Sequence, residues 1–97
     1  MFWRGWALAA QGQHEEGIAQ MHQGLAAKRA TGSVLGLSEY LVRLAEVYGG
    51  MGQAEAGLPL LAEALAHVDT TGERHYEAEG YRIKGELLLR QAVPDAP

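Results

Sequence analysis

The chain has no cysteine among its 97 residues, and this absence excludes several kinds of chemistry. Without cysteine there is no disulfide framework, no thiolate metal site and no cysteine nucleophile. A chain of this kind fits a reducing compartment, so we expect a cytoplasmic protein. Long apolar runs are also missing. The apolar opening MFWRGWALAA is too short for a signal-peptide core or a membrane span, and we expect no membrane partner.

Basic side chains and prolines are scarce as well. The chain carries 8 Lys and Arg against 12 Asp and Glu, a net charge of −4. Because phosphate binding needs a basic stripe, we expect no nucleic-acid partner. Residues 41–80 hold two Arg against seven acidic residues, so a polar partner of this section should be basic. Proline occurs only at positions 59, 94 and 97, which leaves long stretches for helix.

No stretch carries a recognisable catalytic or metal-binding motif. The four histidines form no HxxxH or HExxH pair, and no Ser lies in a GxSxG context. The run Gly49-Gly50-Met51-Gly52 lacks the Lys-Ser/Thr of a phosphate-binding loop and is interpreted as a turn. We therefore expect no catalytic residue, no metal and no cofactor.

What the sequence does contain is a repeat with a period of 40 residues. The segments related by this offset are Gly12-Gln13 and Gly52-Gln53, Gly17-Ile18 and Gly57-Leu58, Leu25-Ala26 and Leu65-Ala66, and Thr31-Gly32 and Thr71-Gly72. A fixed period of this length indicates stacked supersecondary units, each too small to bury its own apolar face.

Helical periodicity and helix-stop signals predict a single all-α domain over residues 1–93, with a disordered tail at 94–97. The predicted helices cover about 1–11, 14–31, 34–49, 54–70 and 73–91. Ser33 is the expected N-cap of the third helix. Pro59 conflicts with the fourth helix unless it lies close to the helix start, where a proline costs little.

Several glycines fall inside these predicted helices, where each costs about 1 kcal/mol relative to alanine. Gly5 and Gly85 occupy equivalent positions in the repeat, and so do Gly17 and Gly57. Their recurrence favours close helix–helix approach over flexibility as the reason for glycine.

The pattern resembles the tetratricopeptide repeat (TPR), a family built from pairs of antiparallel helices. The residues that carry the resemblance are Leu41, Leu44-Ala45 and Tyr48 on the first helix of a pair and Gly57, Leu61 and Ala64 on the second. The 40-residue period departs from the usual 34 of that family, and the closing proline is replaced by Arg29 or Asp69. Segments such as AEVYGGMGQAEAGLPLLAEAL look much like the C-terminal repeats of bacterial predicted ATPases and of cyclase-linked or LuxR-type regulators. The resemblance implies a short right-handed α-solenoid of about five helices.

The resemblance also implies a groove lined by the first helices of successive repeats. Carried over by position, this groove would present Phe2, Trp6, Glu39, Val42, Arg43, Glu46, Glu79, Arg82, Glu86 and Arg90. One interpretation is a binding surface for a protein or peptide, and the other is a solvated helix face.

Aromatic residues are concentrated at the start of the chain, at Phe2, Trp3 and Trp6. They could anchor a partner, or they could pack against a preceding helix, since Met1 falls part-way through the repeat and suggests a fragment of a longer chain. Uncovered apolar ends would favour self-association through Trp3, Trp6, Leu87 and Leu89.

Three functional hypotheses follow. The first is a non-catalytic protein–protein interaction module from a bacterial signalling or regulatory protein. The second is a homodimerisation module that uses the apolar ends of the stack. The third is an enzyme or small-ligand receptor that uses the groove carboxylates.

Overall fold

The described part of the chain is entirely helical. A computed structural model describes residues 1–33, 36–71 and 75–92, and none of these residues lies in a strand. The helices are α1 (Phe2–Ala10), α2 (His14–Ala30), α3 (Leu37–Gly50), α4 (Ala54–Thr71) and α5 (His75–Ala92). The all-α class predicted from the sequence is confirmed. The predicted tail at 94–97 lies outside the described residues.

The turns that join α1 to α2 and α3 to α4 match each other bond for bond. The Gln13 N–H donates to the Leu8 carbonyl, and the Gln53 N–H donates to the Tyr48 carbonyl, each over 2.9 Å. The glycines before them, Gly12 and Gly52, have φ angles of +92° and +78°. Because a side chain strains this left-handed conformation, glycine recurs there. The repeat seen in the sequence therefore extends to the hydrogen bonds of the backbone.

The start of α3 differs from the prediction. The helix begins at Leu37, its N-cap is Gly36 with φ +80°, and Ser33 is not the cap. The Ser33 N–H donates to the Thr31 hydroxyl oxygen over 3.2 Å, and that hydroxyl donates to the Lys28 carbonyl over 2.7 Å. Ser33 is thus bonded to the end of α2, and the predicted cap was wrong because this local bond competes with it.

Helix α4 runs through Pro59 without a break. Since the helix begins at Ala54, Pro59 is its sixth residue and lies beyond the first turn. The proline therefore removes the bond that an N–H at this position would make to the Glu55 carbonyl. Burial of Leu61 and Ala64, exposed by 0% and 1%, stabilises the helix in spite of that loss.

The helices form two layers. Helix α3 contacts both α1 and α5, while α2 packs on α1 and α4 packs on α3. The Cα atoms extend over 40 × 28 × 17 Å, and the shortest extent is that of two packed helices. Helix α3 lies at the centre, and its Leu41, Leu44 and Ala45 side chains are completely buried.

An ion pair joins the two helices of the second layer. Arg29 near the end of α2 donates two hydrogen bonds to the Glu63 carboxylate on α4, over 2.6 and 2.9 Å. The hydrogen bond from Arg29 is the main cause that lowers the pKa of Glu63, so this carboxylate is ionised at neutral pH. Both side chains are more than one third exposed, and the pair therefore stabilises the fold only weakly.

Glycine brings α1 and α2 into backbone contact. A Cβ atom added to Gly5 would lie 2.5 Å from the Gly17 carbonyl oxygen, and one added to Gly17 would lie 2.6 Å from the Gly5 carbonyl oxygen. At the equivalent place in the next pair, a Cβ on Gly57 would lie 3.1 Å from the Ala45 carbonyl oxygen. Close approach is confirmed at these positions. It is wrong for Gly85, where an added Cβ would have no neighbour within 4 Å.

Candidate functional site

Five of the ten residues predicted to line a groove come together on the first layer. Arg43 and Glu46 come from α3, and Glu79, Arg82 and Glu86 come from α5. They lie on facing sides of the two helices because each set is spaced by three or four residues, which places its members on one helix face. We refer to these five residues as the charged face.

Two arginines connect the charged face across the gap between α3 and α5. Arg43 lies 3.1 Å from Glu46 on its own helix and 3.3 Å from Glu79 on α5. Arg82 lies 2.6 Å from Glu79 and 2.7 Å from Glu86 on its own helix, and 3.4 Å from Glu46 on α3. Each arginine therefore bridges the same two helices from opposite sides.

The charged face is both ionised and accessible. Hydrogen bonding to Arg82 is the main cause that lowers the pKa of Glu79, and the same bond raises the pKa of Arg82. The Arg82 and Glu86 side chains are 48% and 51% exposed. Pairs this exposed add little to stability, and their charged atoms stay available to a partner. With three carboxylates against two guanidinium groups, the face carries an excess of negative charge.

Two predicted groove residues are core residues instead. Phe2 is 2% exposed and Val42 is 1% exposed, so neither can present its side chain to a partner. The reason for Phe2 is the close approach of α2: a Cβ on Gly24 would lie 2.5 Å from the Phe2 Cβ. Phe2 and Val42 are related by the 40-residue period, and Arg82, the third member of this series, is exposed.

The remaining predicted groove residues lie around the charged face. Arg90 donates a hydrogen bond to the Gly49 carbonyl at the end of α3. Glu39 is in the first turn of α3, where its side chain is half-buried. Trp6 is 38% exposed on α1.

Trp6 and Glu46 line one shallow depression next to the charged face. The other residues that line it are Ala9, Ala10, His14, Val47 and Gly50. An aromatic ring and a carboxylate on the same depression provide the two groups that attract a cationic side chain.

An aromatic cluster lies between α1 and α3. The Phe2 ring stacks on the Tyr40 ring with centroids 4.2 Å apart, and Trp3 meets Tyr40 edge-on at 5.6 Å. Trp6 lies edge-on to Trp3 at 6.4 Å. Trp3 remains 41% exposed despite these contacts, so part of the cluster is open to solvent.

The residues predicted to mediate self-association divide into two groups. Trp3, Trp6 and Leu89 are exposed by 41%, 38% and 65%. Leu87 is only 2% exposed, because it packs against Gly49 and Gly57. Its assignment to a self-association surface was wrong. In a run of three leucines on a helix, only the one that faces the neighbouring helices is covered.

The sequence analysis missed an exposed apolar surface on α5. It consists of Tyr81, Gly85, Leu88 and Leu89, which we call the outer face of α5. Tyr81 is 57% exposed and Leu88 is 48% exposed. The signal was present in the sequence, since these positions follow Leu41, Ala45, Tyr48 and Gly49 by one repeat period.

The described residues provide no group of three His, Asp or Glu side chains that could hold a metal ion. Among the described helices, none is long and apolar enough to cross a membrane.

Comparison with known proteins gives one bacterial relative and no family. No protein-family model matches the chain, and no solved structure matches it. The chain is 30% identical over 90 residues to the uncharacterized protein R02095 of Rhizobium meliloti (strain 1021). That alignment covers 93% of this chain and 9% of the relative, so the chain spans less than a tenth of the relative's length.

Proposed function

We propose that this chain is a non-catalytic protein–protein interaction module, a TPR-like segment of a larger bacterial signalling or regulatory protein. The observation that carries the proposal is the charged face, which joins α3 and α5 by ion pairs and leaves their charged atoms accessible. Its support as one segment of a larger protein is the match to a bacterial relative of which the chain spans 9%.

A basic peptide is the partner that best fits this surface. The charged face has an excess of carboxylates, and the adjoining depression places Trp6 beside Glu46. A Lys or Arg side chain in that depression would lie against an aromatic ring and a carboxylate, which both attract cations. Backbone and apolar contacts along α3 and α5 would then fix the direction of the peptide.

The test is a fluorescence-anisotropy titration of the 97-residue chain with two labelled peptides of equal length, one rich in Lys and Arg and one rich in Asp and Glu. We expect the basic peptide to bind more tightly, and its affinity to fall as salt is raised, because the charged face is exposed. Glu86→Gln should weaken binding by about threefold to tenfold, the range of one exposed charge contact.

Glu15→Gln is the matched control, because Glu15 is an exposed glutamate on α2, outside the charged face. Equal affinity for the two peptides would contradict the proposal. So would an effect of Glu15→Gln as large as that of Glu86→Gln. Hydrolysis of ATP by the purified chain would contradict the non-catalytic assignment.

A homodimerisation module is the second candidate, favoured by the partial exposure of Trp3 and Trp6. Replacing both tryptophans with glutamine should then convert a dimer into a monomer in light-scattering mass measurements, because burial of indole rings drives such contacts. Leu8→Gln on the same helix is the control for a polar change outside this pair. A wild-type chain that remains monomeric over a hundredfold range of concentration would exclude this candidate.

A further inference from the structure

The outer face of α5 is the third member of a series whose first two members are covered. Gly5, Ala45 and Gly85 follow one another at intervals of 40 residues on α1, α3 and α5. Gly5 contacts the backbone of α2 at Gly17, and Ala45 contacts α4 at Gly57. Nothing lies within 4 Å of a Cβ added to Gly85. The same helix position is thus packed twice and open once.

The neighbours of Gly85 follow the same rule. Leu41 and Gly49 are buried on α3, whereas their equivalents on α5, Tyr81 and Leu89, are 57% and 65% exposed. This surface is opposite the side of α5 that packs on the protein, where Ile83 is 1% exposed. Burial on α3 is therefore provided by α4, and α5 has no described helix in the corresponding place.

The helices that cover the first two members have one pattern in common. Helix α2 buries Gly17, Met21, Gly24 and Leu25. Helix α4 buries Gly57, Leu61 and Ala64 at the same spacing, followed by the half-buried Leu65. Both have a small residue, a large one four positions later, and a small and a large one seven and eight positions later. Small residues permit close approach, and large ones fill the space beside it.

We propose that the outer face of α5 binds a helix of a partner protein that carries this pattern, Gly-x3-Leu/Met-x2-Gly/Ala-Leu. The inference rests on the proposed interaction function and names a second partner surface for it. A folded second copy of this chain cannot supply the helix, because its own Gly17 and Gly57 are already packed against α1 and α3. Leu89 takes the place of Ala9 and Gly49, and its size makes glycine at the first small position of the partner more important.

The probe for this proposal is a labelled synthetic peptide with the sequence of residues 54–71, which carries the pattern at Gly57, Leu61 and Ala64. The peptide is titrated onto the full 97-residue chain and followed by fluorescence anisotropy. We expect saturable binding, and at least about tenfold weaker binding for the same peptide with Gly57→Leu, because the added side chain blocks close approach.

Two variants of the protein place the binding on α5. Gly85→Leu should weaken binding of the unmodified peptide by at least about tenfold, since its side chain occupies the contact surface. Gly85→Ala should preserve binding, because Ala45 occupies the equivalent position against α4. Both variants should retain the helical circular-dichroism signal and the melting temperature of the wild type or better, since nothing surrounds Gly85.

Three results would overturn the inference. The peptide could fail to bind, or it could bind the Gly85→Leu chain as well as the wild type. The chain could also be a dimer that Gly85→Leu dissociates, in which case a second copy covers this surface. Binding of the basic peptide is independent of Gly85. If that binding persists while the helical peptide fails, only this inference is lost, and if neither peptide binds, the proposed function fails as well.

Discussion

Alanine at Gly5 is expected to lower the free energy of unfolding by about 2–3 kcal/mol, although alanine is the better helix former. The new Cβ atom would lie 2.5 Å from the Gly17 carbonyl oxygen and 2.8 Å from the Met21 backbone nitrogen. Both atoms belong to the backbone of α2, which cannot rotate away as a side chain could. The two helices must therefore separate, and their shared core loosens.

Thermal unfolding followed by circular dichroism measures this effect. A loss of this size corresponds to a fall in melting temperature of roughly 10 °C or more for a chain of about 100 residues. Gly85→Ala is the matched control at the equivalent position of the repeat. It should raise stability by about 0.5–1 kcal/mol, since it gains helix propensity and meets no neighbour. Equal shifts for the two variants would show that the close α1–α2 contact is absent in solution.

Leu87→Ala is expected to lower the free energy of unfolding by about 2–4 kcal/mol, the cost of a buried leucine that leaves a cavity. Leu87 is 2% exposed, and its Cδ atoms occupy the space beside Gly49 and Gly57 where those residues lack a side chain. No neighbouring side chain is therefore available on these two helices at that point to fill the cavity. Urea unfolding monitored by circular dichroism would measure the change.

Leu88→Ala is the control for Leu87→Ala, because it removes the same atoms from the next position of the same helix. Leu88 is 48% exposed, so its replacement should change stability by no more than about 0.5 kcal/mol. A larger loss from Leu88→Ala than from Leu87→Ala would mean that α5 packs in a different rotation about its axis.

Element boundaries follow from local chemistry, and the sequence predicts most of them. The prediction for α2 ends one residue beyond the observed helix, and that for α4 begins at the observed residue, Ala54. Glycine with a left-handed φ ends or joins helices at Gly12 and Gly52, as expected from the residue type alone. The start of α3 was missed because the Thr31 hydroxyl and the Ser33 N–H form a local bond that competes with capping.

The direction in which a side chain points is harder to predict. Carrying groove positions over by the 40-residue period placed Phe2 and Val42 on the surface, whereas both are buried. It brought Arg43 and Glu79 to the same surface, where they pair at 3.3 Å. The period aligns positions along the helix, but the burial of a position depends on whether another helix covers it.

The sequence by itself determined the all-α class, the five described helices, the glycine turns between them and the equivalence of positions 40 residues apart. These properties depend on interactions within a few residues of each other, such as helix propensity, φ restrictions and apolar periodicity. Only the tertiary structure decided that Gly5 is enclosed while Gly85 is open, that Leu87 is core while Leu89 is surface, and that Arg82 bridges two helices. These differences depend on which helix lies against which, and residues with the same local sequence environment can differ completely in that respect.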